Sequence, residues 1–217
     1  MQEASRKILE HGIDAIGLRL TSQKMDALIG YHDLLMSYNA KMNLTGHKDE
    51  EKSVVNNLLN SLAPWAMIEA SHSTADVGSG GGLPGIPLAI ALDMKMMALV
   101  ESKEKKCRFL QDACKSFAPA VRVKQSDVNE LQEPFQQIVS VAFAPLEKLL
   151  RTTKRCRAGI AKIYAWKGTR ETIDKELAEC AASDRSLWQI KPFTVPGLHD
   201  VQRHMCIYVP KASRKAQ

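Results

Sequence analysis

The stretch Asp76-Val77-Gly78-Ser79-Gly80-Gly81-Gly82-Leu83-Pro84-Gly85 concentrates residue types that let a main chain touch a ligand. Glycine has no Cβ, so the chain can turn tightly there and a bound group can come close to the backbone. The run lies between a short strand pattern at 74–77 and a helical pattern at 85–92. In open α/β sheets the crevice at the carboxyl ends of the strands is where ligands bind. A dinucleotide turn needs Gly-x-Gly-x-x-Gly before a helix N-terminus, and counted from Gly78 the third glycine position is Leu83. A Gly-x-Gly-x-Gly spacing fits instead, at Gly78, Gly80 and Gly82. Pro84 and Pro87 withhold N–H donors from the first helical turn, and no Gly-Lys-Ser/Thr follows, so the loop is poorly made for phosphate. Glu101 closes the next strand, where a carboxylate can accept hydrogen bonds from both hydroxyls of a ribose. The loop from Asp76 onward, together with Glu101, therefore points to an adenosyl ligand without phosphates: S-adenosylmethionine.

Two kinds of periodicity position these residues. Over residues 1–70, Ile13, Ile16 and Leu20, then Met25, Leu28, Ile29, His32, Leu35 and Met36 recur at spacings of three and four, the helical period. Thr21-Ser22 is suited to cap the second run, and a third helix is expected from about Asp49 to the break at Pro64. From residue 72 short apolar strands at 74–77, 96–100, 121–123, 137–141, 160–166 and 205–209 alternate with helices at 85–92 and 103–117. That alternation predicts βαβ units and a mostly parallel sheet with helices on both faces. The expected architecture is α/β: a helical N-terminal extension, 1–70, on a doubly wound, Rossmann-like domain, 71–217.

The 217 residues are 45% hydrophobic and 25% charged, a globular composition, with a net charge of +6. That charge is unevenly placed. Residues 1–70 hold seven Lys and Arg against nine Asp and Glu, and residues 71–217 hold 23 against 15. The excess is densest at Lys148, Arg151, Lys154, Arg155 and Arg157, with no acid among them; Lys162, Lys167 and Arg170 follow, then Lys211, Arg214 and Lys215. Solvated faces usually mix signs, so the segment suggests contact with a nucleic acid. No run approaches the ~18 apolar residues of a membrane span. The N-terminus has no secretion-signal pattern and the five cysteines form no Cys-x-x-Cys, so a reducing cytoplasm is expected. The six histidines, among them His199 and His204, are scattered away from metal-ligand spacings, so no metal is assigned.

The segment Asp76-Val77-Gly78-Ser79-Gly80-Gly81-Gly82-Leu83-Pro84-Gly85-Ile86-Pro87 resembles the signature of the bacterial small-subunit rRNA guanine-N7 methyltransferases, the RsmG or GidB family. Further stretches fall in the order of that family: Asn43-Leu44-Thr45, Glu101-Ser102, Cys107-Arg108-Phe109-Leu110, Ser140-Val141-Ala142-Phe143-Ala144 and Tyr164-Ala165-Trp166-Lys167-Gly168. The resemblance spans nearly the whole chain. It implies methyl transfer from S-adenosylmethionine to N7 of a guanine in 16S rRNA, with that RNA or the small ribosomal subunit as partner. It also implies cofactor contacts at the backbone of Gly78 and Leu83, at Glu101 for the ribose, at Val128 and Asn129 flanking the adenine, and at Val141. The chain departs from the family's usual pattern at four places. Val141 stands where the family has Arg, and Asn56, Asn57 and Asn60 stand where it has Arg-His and then Asp.

The remaining residues suit this chemistry. Guanine N7 offers a lone pair without a proton, so alignment suffices and no general base is needed. The segment after the fourth strand, Ser140 to Pro145, lacks the Asp/Asn-Pro-Pro-aromatic stretch of amine methyltransferases, and no cysteine follows a proline as a pyrimidine C5 enzyme requires. Phe143 is a candidate to stack on a base or to sit in the core, Lys167 to meet phosphate or simply solvent, and Lys148 or Arg151 to replace the missing guanidinium. Two rival readings remain open, a methyltransferase for another substrate and a cofactor-binding but catalytically silent rRNA-binding homologue. The chain is taken as a monomer.

Overall fold

The computed structural model describes residues 1–198 and 200–211; His199, Arg214 and Lys215 lie outside the described residues. The N-terminal segment is helical, as its periodicity predicts: α1 (Glu3–Ala15), α2 (Ser22–Met42), α3 (Glu50–Ser53), a π-helical stretch (Val54–Leu59) and α4 (Asn60–Leu62). Thr21 caps α2 by accepting from the Lys24 N–H at 3.3 Å, and Asp49 caps α3 by accepting from the Lys52 N–H at 2.9 Å.

The sheet follows: β1 (Thr74–Val77), α5 (Gly85–Leu92), β2 (Met97–Glu101), α6 (Glu104–Phe117), β3 (Arg122–Gln125), β4 (Phe135–Val141), α7 (Leu146–Thr152), β5 (Arg157–Lys167), α8 (Arg170–Ala178), α9 (Ala182–Arg185), β6 (Trp188–Phe193) and β7 (Arg203–Tyr208). The seven strands lie in the order β3-β2-β1-β4-β5-β7-β6, parallel except for β7, which runs antiparallel to both β5 and β6. Strand β6 is absent from the sequence-based expectation. It reads Trp-Gln-Ile-Lys-Pro-Phe, and its proline cannot donate to a ladder, which a strand tolerates at the sheet edge where β6 lies. Helices α7 and α8 were also unanticipated; both are short, with few apolar positions from which to read a period.

Alternating side chains fill a core on each face of the sheet. Met97 and Leu99 of β2, Tyr164 and Trp166 of β5, and Met205 and Ile207 of β7 join one cluster with α1, α2, α5, α6 and the π-helical stretch. Their neighbours Ala98, Val100, Ile163, Ala165, Cys206 and Tyr208 join the other with α7 and α8. The N-terminal helices thus share one core with the sheet. At ~25 cal/mol per Å² of apolar surface, each large side chain in it contributes about 2 kcal/mol, so α1 and α2 are held by burial of one face rather than by helix propensity.

Strand β1 is buried along its whole length, and Asp76 within it latches the glycine turn to α5: its Oδ2 accepts from the Gly85 N–H at 3.0 Å. A Cβ on Gly85 would sit 2.4 Å from Leu99 Cδ2 and 2.7 Å from Asp76 Oδ2, so helix and strand meet this closely only over glycine. Burial pushes the Asp76 carboxyl well above its ordinary range, against the Gly85 N–H that favours the charged form, and Glu101 adds to the rise. The folded chain therefore holds this proton more tightly than the unfolded chain. The resulting stability is complete below the unfolded value of about 3.9 and is lost as pH rises through the folded one. Asp76→Asn stays neutral at every pH and keeps an oxygen for Gly85. Its melting temperature relative to wild type is expected to climb as pH increases above about 4, and a difference independent of pH would show that Asp76 is ionised in the fold.

Candidate functional site

The strand order reverses between β1 and β4: the chain winds from β1 to β2 and β3 on one side, and from β4 to β5 on the other. This switch point leaves a crevice at the carboxyl ends of the two central strands. Gly78 follows β1 there and Ala142 follows β4, and both residues line two adjoining cavities.

The smaller cavity, about 340 Å³, is lined by Gly78, Glu101, Ser126, Asp127, Val128 and Asn129, and also by Phe143 and Lys148. Glu101 is 7% exposed. Its Oε2 accepts from the Gly80 N–H at 3.1 Å and its Oε1 from the Lys103 N–H at 2.9 Å. Two backbone donors thus fix the carboxylate, and each oxygen keeps acceptor capacity for a ligand hydroxyl. Asp127 accepts from the backbone N–H and side-chain amide of Asn129, both at 2.8 Å, and the backbone bond is the main reason its carboxyl sits below the ordinary range. Asp127 was not anticipated; only its place just after β3 hinted at it.

The loop between the cavities uses its glycines as the spacing suggests: Gly78, Gly80 and Gly82 all have positive φ, at +71°, +56° and +83°. A Cβ on Gly78 would meet Phe143 Cδ2 at 2.3 Å, whereas one on Gly80 would find nothing nearer than the Gly78 carbonyl at 3.8 Å. The loop's outward side is therefore open at Gly80. Its amides are spent internally: Gly78 and Ser79 donate to the Val100 carbonyl at 2.9 and 3.1 Å, and Gly82 and Leu83 to that of Ser79 at 2.7 and 3.2 Å. With Gly85 bound to Asp76 as well, few donors are left for a phosphate, in keeping with a phosphate-free ligand. From the helical layer Tyr31 donates to the Gly81 carbonyl at 2.6 Å.

The larger cavity, about 600 Å³, opens between the N-terminal helices and the ends of β4, β5 and β7. Asn56, Asn57, Asn60 and Val141, the four departures from the family pattern, all line it, as do Thr45, His47 and Arg203. Asn57 joins a buried chain: it accepts from Thr45 Oγ1 at 3.0 Å and donates to Ser53 Oγ at 2.8 Å, which meets His32 Nε2 at 3.0 Å. Ala142 has φ +52°, a left-handed conformation costly for a residue with a Cβ. Neither Arg203 nor Ala142 had a sequence signal beyond the basic C-terminal half and the Ser140–Ala144 resemblance.

The other candidate residues take the following places. Lys167 lines the larger cavity with its ammonium already committed, 2.7 Å from Glu176 Oε2 and 2.8 Å from the Ala144 carbonyl, at 12% side-chain exposure; it braces β5 against α8 rather than presenting a free cation. Lys148 lines the smaller cavity, and Arg151 lies in a separate groove, 3.6 Å from Glu147, so neither lines the cavity that Val141 lines. Arg203 does line that cavity. Leu83 also faces the larger cavity, across the loop from Glu101. Phe143 is only partly buried, packed on the second core and against Gly78. All five cysteines are free and buried, with the Cys114, Cys156 and Cys206 thiols pushed up by burial to about 12, 11 and 12, and none lines either cavity.

Known proteins fit this picture. The chain superposes on a magnesium protoporphyrin IX methyltransferase from Synechocystis, solved with bound SAM, with a TM-score of 0.57 at 12% identity over 83% of this chain and 97% of that one. On a putative RNA methyltransferase from Pyrococcus horikoshii it does so with a TM-score of 0.56 at 15% identity, over 88% of this chain and all of that one. Both likenesses establish a Rossmann-like methyltransferase fold. In sequence, it is 34% identical over 200 residues to the ribosomal RNA small subunit methyltransferase G of Chromobacterium violaceum, covering 91% of this chain and 94% of that protein. To the protein of the same name from Marinobacter nauticus it is 36% identical over 212 residues, 95% of each chain. The sequence model described as rRNA small subunit methyltransferase G matches residues 24–206. The chain belongs to the rRNA small subunit methyltransferase G family, a family of S-adenosylmethionine-dependent enzymes.

Proposed function

We propose that this chain transfers the methyl group of S-adenosylmethionine to N7 of a guanine in 16S rRNA, as a cytoplasmic enzyme acting on that RNA or the small ribosomal subunit. The observation that carries the reading is the pair of cavities meeting at Gly78 and Ala142. One presents a fixed carboxylate, Glu101, suited to a ribose, with Val128 and Asn129 beside it; the other is large enough for a purine. The cofactor, when bound, supplies an electrophilic methyl on a sulfonium. Gly78, Gly80 and Gly82 bring backbone close to that ligand, Asp76 holds their turn against α5, and Leu83 and Val141 give the larger cavity apolar wall near the loop. Guanine N7 has no proton to lose, so these residues need only hold nucleophile and methyl in line, a proximity contribution of several kcal/mol. The larger cavity meets that modest demand: its ionisable groups among the described residues are His47, Arg203 and the Lys167–Glu176 pair, whose charges already satisfy each other.

A second reading, a cofactor-binding but catalytically silent rRNA binder, is favoured by one observation: Val141, Asn56, Asn57 and Asn60 make much of that wall neutral. Incubation with labelled S-adenosylmethionine and either 30S subunits or naked 16S rRNA, followed by mapping of the labelled base, separates the two. Label at a guanine N7 is expected; label on another atom defeats the proposal, and tight cofactor binding without transfer favours the silent binder. Because the substrate is a polyanion, its affinity is expected to fall steeply and linearly on a log–log plot between about 50 and 200 mM salt. A methyltransferase for a small neutral substrate would show no such slope.

Glu101→Gln keeps shape but replaces one carboxylate oxygen with a donor. That donor would face the Gly80 or Lys103 N–H and remove a ribose acceptor. Calorimetry is expected to show cofactor affinity weakened about tenfold or more, and affinity for S-adenosylhomocysteine weakened equally, since the contact is to the ribose rather than the sulfonium. Equal affinity for wild type and variant would remove Glu101 from the cofactor site.

A further inference from the structure

One residue on the wall of the larger cavity carries a polar atom with no partner among the described residues. Asn60 is 8% exposed and lines the cavity, and its Oδ1 is buried without a hydrogen-bond partner among the described residues. A buried acceptor left unpaired costs about 1–3 kcal/mol, so a free chain that keeps one invites a reason. Its neighbour differs: both polar atoms of the Asn57 side chain are engaged, by Thr45 and Ser53. The main chain at Asn60 is held in place: its backbone carbonyl accepts from the Trp166 indole N–H at 2.9 Å, and the π-helical stretch Val54–Leu59 ends directly before it. Such widened helical turns are frequent at functional sites.

We infer that Asn60 reads the base in this cavity, its carboxamide oxygen accepting from the N1–H or N2 amine of the target guanine. This rests on the guanine-N7 reading above. The chemistry of the purine supports it: N7 lies on one edge of the ring system, and the donors N1–H and N2–H2 lie on the opposite edge. A guanine turned with N7 toward the loop at Gly78 therefore offers its donors to the rest of the cavity, where an unpaired acceptor is what they need. Adenine in the same pose presents the bare N1 lone pair and no N2 amine, so acceptor would face acceptor. Sites that hydrogen-bond a substrate group reject the analogue lacking it, because their own buried polar group is then left unpaired. Asn60 would thereby contribute selectivity for guanine without taking any proton.

Two substitutions test this. Asn60→Leu is close in size and removes the acceptor; Asn60→Asp keeps it. With Asn60→Leu, kcat/KM for methyl transfer to rRNA is expected to fall about tenfold or more while cofactor affinity stays at the wild-type value. Its melting temperature should stay level or rise, since an unpaired buried amide has been exchanged for an apolar group. Asn60→Asp should recover most of the lost transfer. Wild-type transfer by Asn60→Leu, a fall in its melting temperature, or an Asn60→Asp variant as impaired as Asn60→Leu would each overturn the inference. A wild-type chain that methylates no guanine would overturn the guanine-N7 reading and this inference together, whereas an active wild type indifferent to Asn60 overturns the inference alone.

Discussion

The reversal of strand order between β1 and β4 is the constraint on which the rest of this structure depends. Parallel strands joined by right-handed crossovers carry their helices to opposite faces when the winding direction changes, and no helix can fill the gap at the carboxyl ends of the two central strands. Gly78 and Ala142 stand at that gap, each in a left-handed conformation. The turn through Gly78 is then secured from several sides: by Asp76 through Gly85, by Glu101 through Gly80, by Val100 through Gly78 and Ser79, and by Tyr31 through Gly81. Three of these anchors belong to the sheet and one to the N-terminal helices. The helical segment therefore does more than cover apolar surface; it forms one wall of the larger cavity and holds the loop that divides the two.

Much of this was legible because local and tertiary demands coincide. Strand 74–77, helix 85–92 and the capping role of Thr21 follow from residue type alone, since burial on both faces selects β-branched and apolar strands and an N-cap needs a short side-chain acceptor. The Gly-x-Gly-x-Gly spacing was readable for the same reason: three positive φ angles leave little choice of residue. Where the demand is purely tertiary the signal fades. Strand β6 exists because β7 offers it an edge, and its own composition, with Gln, Lys and Pro, does not favour a strand.

Charge shows the same limit. Residues 148–157 lack acids along the chain, but Glu147 directly precedes them and folding brings Glu179 and Asp184 into the groove that Arg151, Lys154 and Arg157 line, and sets Arg157 over the Tyr208 ring at 5.5 Å. A one-dimensional count sees only the cations and overstates how much free positive surface they provide. Conversely, Arg203 carried no distinguishing neighbour in sequence, yet β7 places it in the larger cavity, to which Lys148 and Arg151 do not extend.

The four departures from the family pattern come from two segments 80 residues apart and gather in a single cavity. Together they leave one wall of the larger cavity neutral, a change that does not reach Glu101 in the smaller one. The chemistry of N7 tolerates such a change because no residue has to accept a proton, and alignment can come from shape and neutral hydrogen bonds. The cost then falls on stability. Asp76 Oδ1 and Asn60 Oδ1 are both buried and, among the described residues, unpaired, the kind of local violation that a fold retains where a site requires it. Burial raises the Asp76 carboxyl well above its ordinary range, which eases that cost by favouring the neutral acid. Asn60 has no such recourse: its amide does not titrate, and its oxygen needs a donor.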